Sequence, residues 1–264
     1  MKIIYFHSLY GDLGKLEKIR RICIDQKADT VICGGDFYYW EPTFVGKYME
    51  VVQEIINGKR TYIQCFGDQD NLYPFLEERY KNIKDFHLCY GDVSVKLPRA
   101  NVVAIPWTND PRFRFKQFYR DEGDKSPVLS APSIADSSHA IIEVKCEFKS
   151  MKQQLEELKI ADLVDRNTIL VTHNPPLVNH LVAKDINMVN RGSKAIMELI
   201  EKKKPWMVFS GHTTNSHIEV TGAQYIHKIE GRQDIWIVNQ SPKYVFMLEI
   251  TKKKTYYQRI LIND

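Results

Sequence analysis

The first third of the chain alternates short apolar runs with segments of helical periodicity. Ile3 to Phe6 is a β-forming run, and the apolar positions after it, Leu13, Leu16 and Ile19, repeat at the spacing of one helix face. Two further strands that end in glycine and one further helix follow, at residues 30–35, 61–67 and 44–56. Three β-loop-α units in succession predict a largely parallel sheet with helices on its faces.

The rest of the chain is less regular. Strands are predicted at residues 87–97 and 101–107, and residues 108–138 form a long excursion rich in Pro, Ser, Asp and Gly. A loop of that length is usually functional. The later elements are a helix at about 147–163, a strand at 168–173, a helix at 192–204, a strand at 206–212 and a β-rich tail. Neither repeats nor a linker are apparent, so we predict a single domain over residues 1–264.

Composition indicates where the protein resides more than what it does. With 264 residues the chain can bury a sizeable core, and its net charge of +4 is spread along the sequence. The five cysteines form no CxxC pair and lie mostly in apolar stretches, which is typical of buried, reduced thiols. No apolar run approaches the roughly 18 residues of a membrane span, and the N-terminal run is too short for a signal peptide. We predict a cytoplasmic protein with no membrane contact.

Polar side chains follow the predicted strands at the points where they end. These side chains are Ser8, Tyr10, Asp36, Asp68, Asp70, His173, His212 and Thr214. In parallel sheets, ligands bind at the carboxyl ends of the strands. Two carboxylates and two imidazoles that converge there would form a nitrogen and oxygen site for a divalent transition metal. Spacing alone does not decide the matter, because a lone histidine in such a loop is more often structural.

The order of these motifs resembles that of the calcineurin-like metallophosphoesterases. That family carries, in order, D-x-H, G-D-x-x-D, G-N-H-D, a later His often within T-H-x-P, and G-H-x-H. The matching stretches are HSLYGD, GGDFYY, FGDQD, VTHNPP and SGHTT, so the resemblance covers nearly the whole chain. It implies an α/β sandwich of two mixed β-sheets flanked by helices. It also implies two metal ions at the carboxyl-end loops that activate a bridging water and hold the phosphate oxygens.

The resemblance implies that one of the two metal sites is retained. Asp36 falls on the bridging aspartate, and His173 and His212 fall on two ligands of the second metal. Asp68 replaces the asparagine of that metal and still offers an oxygen ligand. Such a set would accept Mn, Zn or Fe.

By the same comparison, the other metal site has lost its ligands. Ser8 and Tyr10 replace the aspartate and histidine of the first motif, and Thr214 replaces the last histidine. A neutral hydroxyl is a far poorer ligand for a divalent ion than a carboxylate or an imidazole, so a second metal is not expected. Gln69 replaces the histidine of G-N-H-D, and glutamine cannot shuttle a proton at neutral pH. Tyr39 stands at the final aspartate of G-D-x-x-D.

Four other side chains are candidates to replace a lost ligand. They are His7, Asp12, His217 and His227. Strand alternation predicts that His7 points away from Ser8, and nothing in the sequence places the other three at the site.

These losses favour a non-catalytic descendant that binds a protein partner or a phosphorylated ligand, with at most one metal. The alternative is a weak, single-metal phosphoesterase acting on monoesters or diesters. A third interpretation uses the basic and aromatic stretch 112–120, in which Arg112, Arg114 and Lys116 would contact phosphate, including that of a nucleic acid. The simpler explanation of that stretch is aromatic rings that pack inward. The substrate, the partner, the oligomeric state and any residual hydrolysis stay open from the sequence.

Overall fold

Two mixed β-sheets of six strands each lie at the centre of the fold in the computed structural model. The structure describes residues 1–37, 42–67, 70, 80, 82–91, 93–109, 120, 122, 128–135, 140–147, 149–178, 183–184, 189–212, 225–229, 235–239, 242–252 and 254–262. Helices pack on the outer faces of the two sheets, which gives the α/β sandwich that the sequence predicts.

The first sheet holds the N-terminal part of the chain and its last two strands. Its strands are β1 (Lys2–Phe6), β2 (Thr30–Cys33), β3 (Thr61–Cys65), β4 (Phe86–Cys89), β13 (Tyr244–Ile250) and β14 (Thr255–Leu261). The strand order is β14-β13-β1-β2-β3-β4, with β1 to β4 parallel and the last two strands antiparallel. Helices α1 (Leu13–Asp25) and α2 (Pro42–Asn57) connect β1 to β2 and β2 to β3.

The second sheet is built in a similar way from the later part of the chain. Its strands are β5 (Ser94–Lys96), β6 (Asn101–Ile105), β9 (Thr168–Thr172), β10 (Met207–Ser210), β11 (Tyr225–Ile229) and β12 (Ile235–Asn239). The strand order is β11-β12-β10-β9-β6-β5, and the four inner strands are parallel. Three helices lie between these strands along the chain: α3 (Met151–Glu157), α4 (Ile160–Leu163) and α5 (Lys194–Lys203). A separate hairpin pairs β7 (Val128–Ala135) with β8 (Ala140–Glu147).

Alternation along the strands divides the apolar side chains between two layers. In β1, Ile3 and Tyr5 belong to the cluster between the sheets, whereas Ile4 and Phe6 belong to the cluster that contains the helix faces. Across the sheets the ring of Tyr5 stacks on Phe209, with centroids 4.2 Å apart and planes 9° from parallel. The inner parallel strands are therefore covered on both faces, as is usual for parallel sheets.

The structure confirms the predicted β-loop-α units and corrects three later predictions. The strand predicted at 87–97 is two strands, β4 and β5, which belong to different sheets. The predicted helix at about 147–163 is two helices, since Lys159 between α3 and α4 has the left-handed φ of 51°. The excursion predicted at 108–138 contains strand β7, which pairs with β8. Strand β7 was not predicted because it contains Pro132, and proline is rarely found inside strands. The tail pattern predicted at residues 217–220 lies outside the described residues.

The side chains of four of the five cysteines are described, at positions 23, 33, 65 and 89, and all four are buried and form no disulfide. Burial raises the pKa of the Cys23 and Cys33 thiols to about 12, so they stay protonated at neutral pH. The prediction of buried, reduced thiols is confirmed for these four. Among the helices described, none has the length and apolar character needed to cross a membrane.

Asp12 caps helix α1 rather than replacing a metal ligand. Its Oδ1 accepts a hydrogen bond from the backbone N–H of Lys15 at 2.9 Å, and the Lys15 Nζ lies 3.6 Å from its other oxygen. We expect Asp12→Ala to lower the free energy of unfolding by about 1 kcal/mol, because the first turn loses its side-chain acceptor. Asp25→Ala is the control, since that exposed carboxylate ends the same helix and caps nothing. Equal urea midpoints for the two variants would contradict the capping role.

Candidate functional site

The candidate site lies at the shared carboxyl edge of the two sheets. Ser8, Asp36 and Gly67 follow β1, β2 and β3 of the first sheet. Thr108, His173 and His212 follow β6, β9 and β10 of the second sheet. The loops after three parallel strands of each sheet therefore meet in one place, which is where open α/β sheets bind ligands.

Backbone hydrogen bonds hold the loops of the first sheet side by side. The N–H of Ser8 donates to the carbonyl of Gly35 at 2.9 Å, and the N–H of Tyr10 donates to that of Asp36 at 3.0 Å. The loop after β1 is thus fixed against the loop after β2. In the second sheet, the N–H of Gly211 donates to the carbonyl of His173 at 3.2 Å.

Asp70 joins the loops after β2 and β3. Its Oδ2 accepts hydrogen bonds from the backbone N–H groups of Asp36 at 2.7 Å and Gly67 at 2.8 Å. The carboxylate is fully buried, so these two N–H groups replace the water that it has lost. The sequence places Asp70 among the polar residues at the strand ends. In the structure, the Asp70 carboxylate fixes the backbone of Asp36.

Two glycines allow the loops to approach this closely. Gly35 has the left-handed φ of 102°, and a Cβ there would lie 2.6 Å from the backbone nitrogen of Gly67. A Cβ on Gly67 would lie 2.3 Å from Asp36 Oδ1 and 2.6 Å from His173 Nδ1. The missing side chain at Gly67 is what lets the carboxylate and the imidazole reach each other.

Asp36, His173 and His212 form one chain of contacts across the two sheets. His173 Nε2 lies 3.7 Å from Asp36 Oδ1 and 3.1 Å from His212 Nδ1. All three side chains are buried. The structure therefore brings together three of the four metal ligands that the resemblance implies.

Thr108 contacts His212, and Asn174 contacts Thr108. The sequence analysis missed both residues. Thr108 Oγ1 lies 3.0 Å from His212 Nε2 and 3.3 Å from Asn174 Oδ1. Asn174 Nδ2 donates to the backbone carbonyls of Arg191 and Pro175. The available signals were weak: Asn174 directly follows His173, and Thr108 directly follows a strand pattern.

His7 contacts Ser8, so the prediction that the two side chains point apart is wrong. His7 Nδ1 lies 2.8 Å from Ser8 Oγ, and both side chains are buried. Strand alternation fails here because β1 ends at Phe6 and Ser8 has the left-handed φ of 57°. A Cβ on Gly211 would lie 3.3 Å from His7 Nδ1, which places this imidazole beside the loop after β10.

Left-handed backbone is concentrated at the site. Ser8, Tyr10, Asp36 and His212 have φ values of 57°, 49°, 52° and 60°. Each such non-glycine residue costs on the order of 1–3 kcal/mol, and strain of this kind clusters at functional sites. The fold keeps this strain at Ser8 and Tyr10, where the resemblance implies that the ligands have been lost.

Tyr5 lies directly beneath these loops. Its hydroxyl donates to the backbone carbonyl of Ser210 at 3.3 Å, and a Cβ on Gly34 would lie 2.5 Å from its oxygen. Burial raises the pKa of the Tyr5 phenol well above its usual range, with further contributions from Cys65, Cys33 and Asp36 in that order. The phenol stays neutral and acts as a fixed donor under the site.

Several residues singled out by the sequence lie outside the described residues, and their roles stay predictions. They are Tyr39, Asp68, Gln69, Arg112, Arg114, Lys116, Thr214 and His217. His227 belongs to strand β11, where only the backbone is described.

Two described residues of the excursion are attached near the site. The N–H of Arg120 donates to the carbonyl of Thr108 at 2.8 Å, and its guanidinium lies over the ring of Trp107 at 5.4 Å. Glu122 Oε2 accepts from the backbone N–H of Lys194 at 3.0 Å, at the start of α5. The excursion thus returns to the strand end that carries Thr108.

Asp36, His173 and His212 are of the donor types that bind divalent transition metals in proteins. Ligand atoms about 2.0–2.1 Å from one ion lie about 3.0–3.4 Å from each other, close to the 3.1 and 3.7 Å found here. Within the described residues, no group of three or more His, Cys, Asp or Glu side chains could hold a metal ion as it stands. Asp68, the fourth predicted ligand, lies outside that part of the chain.

Sequence comparison and structure comparison give different results. No model of a protein family matches the sequence. No curated protein matches it either. The fold is similar to that of the protein TT1561 of Thermus thermophilus, at a TM-score of 0.61, 13% identity and coverage of 99% of both chains. It is also similar to a dimetal phosphatase from Danio rerio, at a TM-score of 0.57 and 11% identity, covering 100% of this chain and 97% of that one.

At such low identity these similarities bear on the fold. Both neighbours are matched over nearly their whole length, and the two six-stranded sheets match the architecture that the motif order implies. The chain has the fold of the dimetal phosphatase, an α/β sandwich of two mixed sheets flanked by helices, as the motif order predicts.

Proposed function

We propose that this chain binds one divalent cation through Asp36, His173 and His212 and uses it to hold the phosphate group of a ligand, without hydrolysing it. The observation that carries this proposal is the contact chain from Asp36 through His173 to His212, at 3.7 and 3.1 Å. Asp68 is the expected fourth ligand. Mn, Zn and Fe all suit such a set, and the phosphate belongs to a small molecule or to a protein partner.

Beside Ser8, a second cation would meet the imidazole of His7 but neither of the two ligands that the first motif of the family supplies. The Ser8 hydroxyl is buried and lies 2.8 Å from His7 Nδ1. Tyr10 offers a phenol where the resemblance implies an imidazole. Without a second ion, the site lacks the clamp that holds the attacking and leaving oxygens in dinuclear phosphoesterases.

The chemistry of the remaining residues also favours binding over turnover. A bound divalent cation supplies Lewis acidity that attracts phosphate oxygens. Asp36 holds the cation, and Asp70 fixes the Asp36 backbone through the 2.7 Å hydrogen bond. The position implied for the proton donor is Gln69, whose amide cannot protonate a leaving group at neutral pH.

A slow, single-metal phosphoesterase is the second candidate function. The observation in its favour is the left-handed backbone kept at Ser8, Tyr10, Asp36 and His212. A chain that had lost all use for this geometry would be free to relax it.

We expect isothermal titration of the purified, metal-stripped chain with Mn²⁺ to give one equivalent. Asp36→Asn and His212→Gln should each weaken Mn²⁺ binding by at least about 100-fold, because removing a positioning group alone costs about 10–100-fold. His87→Gln is the control, since His87 lies within strand β4. Inorganic phosphate should bind only when Mn²⁺ is present.

Four outcomes of these measurements, together with an assay of hydrolysis, would count against the proposal. Two equivalents of Mn²⁺, or no Mn²⁺ binding, would contradict the single site. Hydrolysis of bis(4-nitrophenyl) phosphate that disappears in both variants would favour the slow phosphoesterase. Phosphate binding of equal strength without Mn²⁺ would remove the role assigned to the cation.

A further inference from the structure

The hydrogen bonds behind His212 determine which of its two ring nitrogens carries the proton. The first step is the orientation of Asn174. Its Nδ2 donates to the backbone carbonyls of Arg191 at 3.0 Å and Pro175 at 3.3 Å. A carbonyl oxygen can only accept, so the amide nitrogen must face this pair and Oδ1 must face the other way.

The second step is the direction of the Thr108 hydroxyl. Thr108 Oγ1 lies 3.3 Å from Asn174 Oδ1 and 3.0 Å from His212 Nε2. The geometry assigns the hydroxyl proton to Asn174 Oδ1, which can only accept, and in that arrangement Thr108 Oγ1 accepts from the imidazole. In this arrangement His212 Nε2 carries the proton of the 3.0 Å contact.

The third step concerns the opposite nitrogen. A neutral imidazole has one N–H, so protonation at Nε2 leaves a lone pair on Nδ1. That lone pair faces His173 Nε2 at 3.1 Å, on the side of Asp36. Thr108 and Asn174 are at most 1% exposed, so bulk water does not compete for these hydrogen bonds.

We infer that Thr108 and Asn174 are positioning residues that hold His212 in the tautomer whose Nδ1 faces, and can bind, a cation. This inference rests on the proposed function for its purpose, but the tautomer itself does not require a metal. Ordering of a metal ligand by a partner on its other ring nitrogen is a general feature of metal sites. In this chain the partner is a threonine fixed by an asparagine.

The wild-type chain alone gives a decisive test. We expect long-range ¹H–¹⁵N correlation spectra of the metal-free protein, at about pH 8 where an ordinary imidazole is neutral, to show His212 protonated at Nε2. A His212 ring protonated at Nδ1 would overturn the inference. His212→Gln identifies the signal by its disappearance.

Variants then test the cause. Thr108→Val removes the hydroxyl and keeps the branched shape, so we expect a mixture of tautomers and a loss of Mn²⁺ affinity of about 10–100-fold. Thr108→Ser should restore both. Thr168→Val is the matched control, because Thr168 is fully buried and bonded through its hydroxyl at the far end of β9. A Thr108→Val variant with unchanged tautomer and affinity would overturn the inference.

The failure of this inference can be told apart from the failure of the proposed function. If the wild type binds no Mn²⁺ but His212 is protonated at Nε2 and shifts in Thr108→Val, the cation proposal fails and the positioning role stands. If Mn²⁺ binds and His212 is protonated at Nδ1, the positioning role fails and the cation proposal stands. The spectra decide even where Thr108→Val does not fold, since they are recorded on the wild type.

Discussion

The triple variant Ser8→Asp, Tyr10→His, Thr214→His is expected to bind two equivalents of Mn²⁺ and to hydrolyse bis(4-nitrophenyl) phosphate at least about 100-fold faster than the wild type. These substitutions install the ligands that the resemblance implies for the missing ion. A second ion would add several kcal/mol of transition-state stabilisation, and about 1.4 kcal/mol corresponds to a factor of ten in rate. The ester has a good leaving group, so the glutamine at position 69 does not limit the assay.

The described backbone is suited to two of these three substitutions. Ser8 and Tyr10 have φ values of 57° and 49°, in the left-handed region. Asp and His are enriched there several-fold over most other side chains. We therefore expect the variant to fold, and to gain thermal stability when Mn²⁺ is added, because a cation offsets the repulsion between carboxylates at Ser8→Asp and Asp36.

The control is the same triple variant with Asp36→Asn, which removes the predicted bridging ligand. Because Asp36 is a predicted ligand of both ions, this control should lose tight binding of both equivalents of Mn²⁺ together with the hydrolysis. A wild type that already turns over the ester, with no increase in the triple variant, would show that the hydroxyl residues at positions 8 and 10 are compatible with catalysis. The argument from lost ligands would then be wrong.

The parts of the fold that sequence patterns predict are those with a local cause. Strands β1 to β3 and helices α1 and α2 follow from apolar periodicity, because each element buries one face or both. The hairpin of β7 and β8 was missed since its pairing is not encoded in a strong local pattern. The break at Lys159 was missed because a single left-handed residue has no periodic signature.

The same distinction between local and non-local causes applies to the residues of the site. Asp36, His173 and His212 could be predicted to converge because the carboxyl ends of parallel strands meet at one edge. Thr108 and Asn174 could not, because their role depends on hydrogen bonds between loops from different strands. His7 was placed on the wrong side because alternation was extended beyond Phe6, the last residue of β1.

Gly35→Ala is expected to destabilise the chain by about 3–5 kcal/mol, the largest effect of any single substitution that we predict. Gly35 has a φ of 102°, which alanine adopts only with strain. The new Cβ would also lie 2.6 Å from the backbone nitrogen of Gly67 and 2.6 Å from the carbonyl carbon of Phe66. Because these are backbone atoms, no side-chain rotation relieves the contact.

Gly46→Ala is the matched control for that substitution. Gly46 lies within α2, and a Cβ there would meet nothing within 4 Å. Alanine in a helix interior is more favourable than glycine by about 0.5–1 kcal/mol, so this variant should unfold at a higher urea concentration than the wild type. The same chemical change is thus expected to act with opposite sign at the two positions.

Gly35→Ala should also weaken Mn²⁺ binding, whereas Gly46→Ala should not. The contact at Gly35 pushes the loop after β3 away from the loop after β2, which separates Asp70 from the Asp36 N–H that it accepts at 2.7 Å. Asp36 then loses its fixed position opposite His173. Unfolding in urea and Mn²⁺ titration of the two variants together test whether the packing that supports the sheet edge also builds the site. Equal destabilisation at both positions would contradict the steric argument for Gly35. Unchanged Mn²⁺ affinity in Gly35→Ala would show that this packing does not build the site.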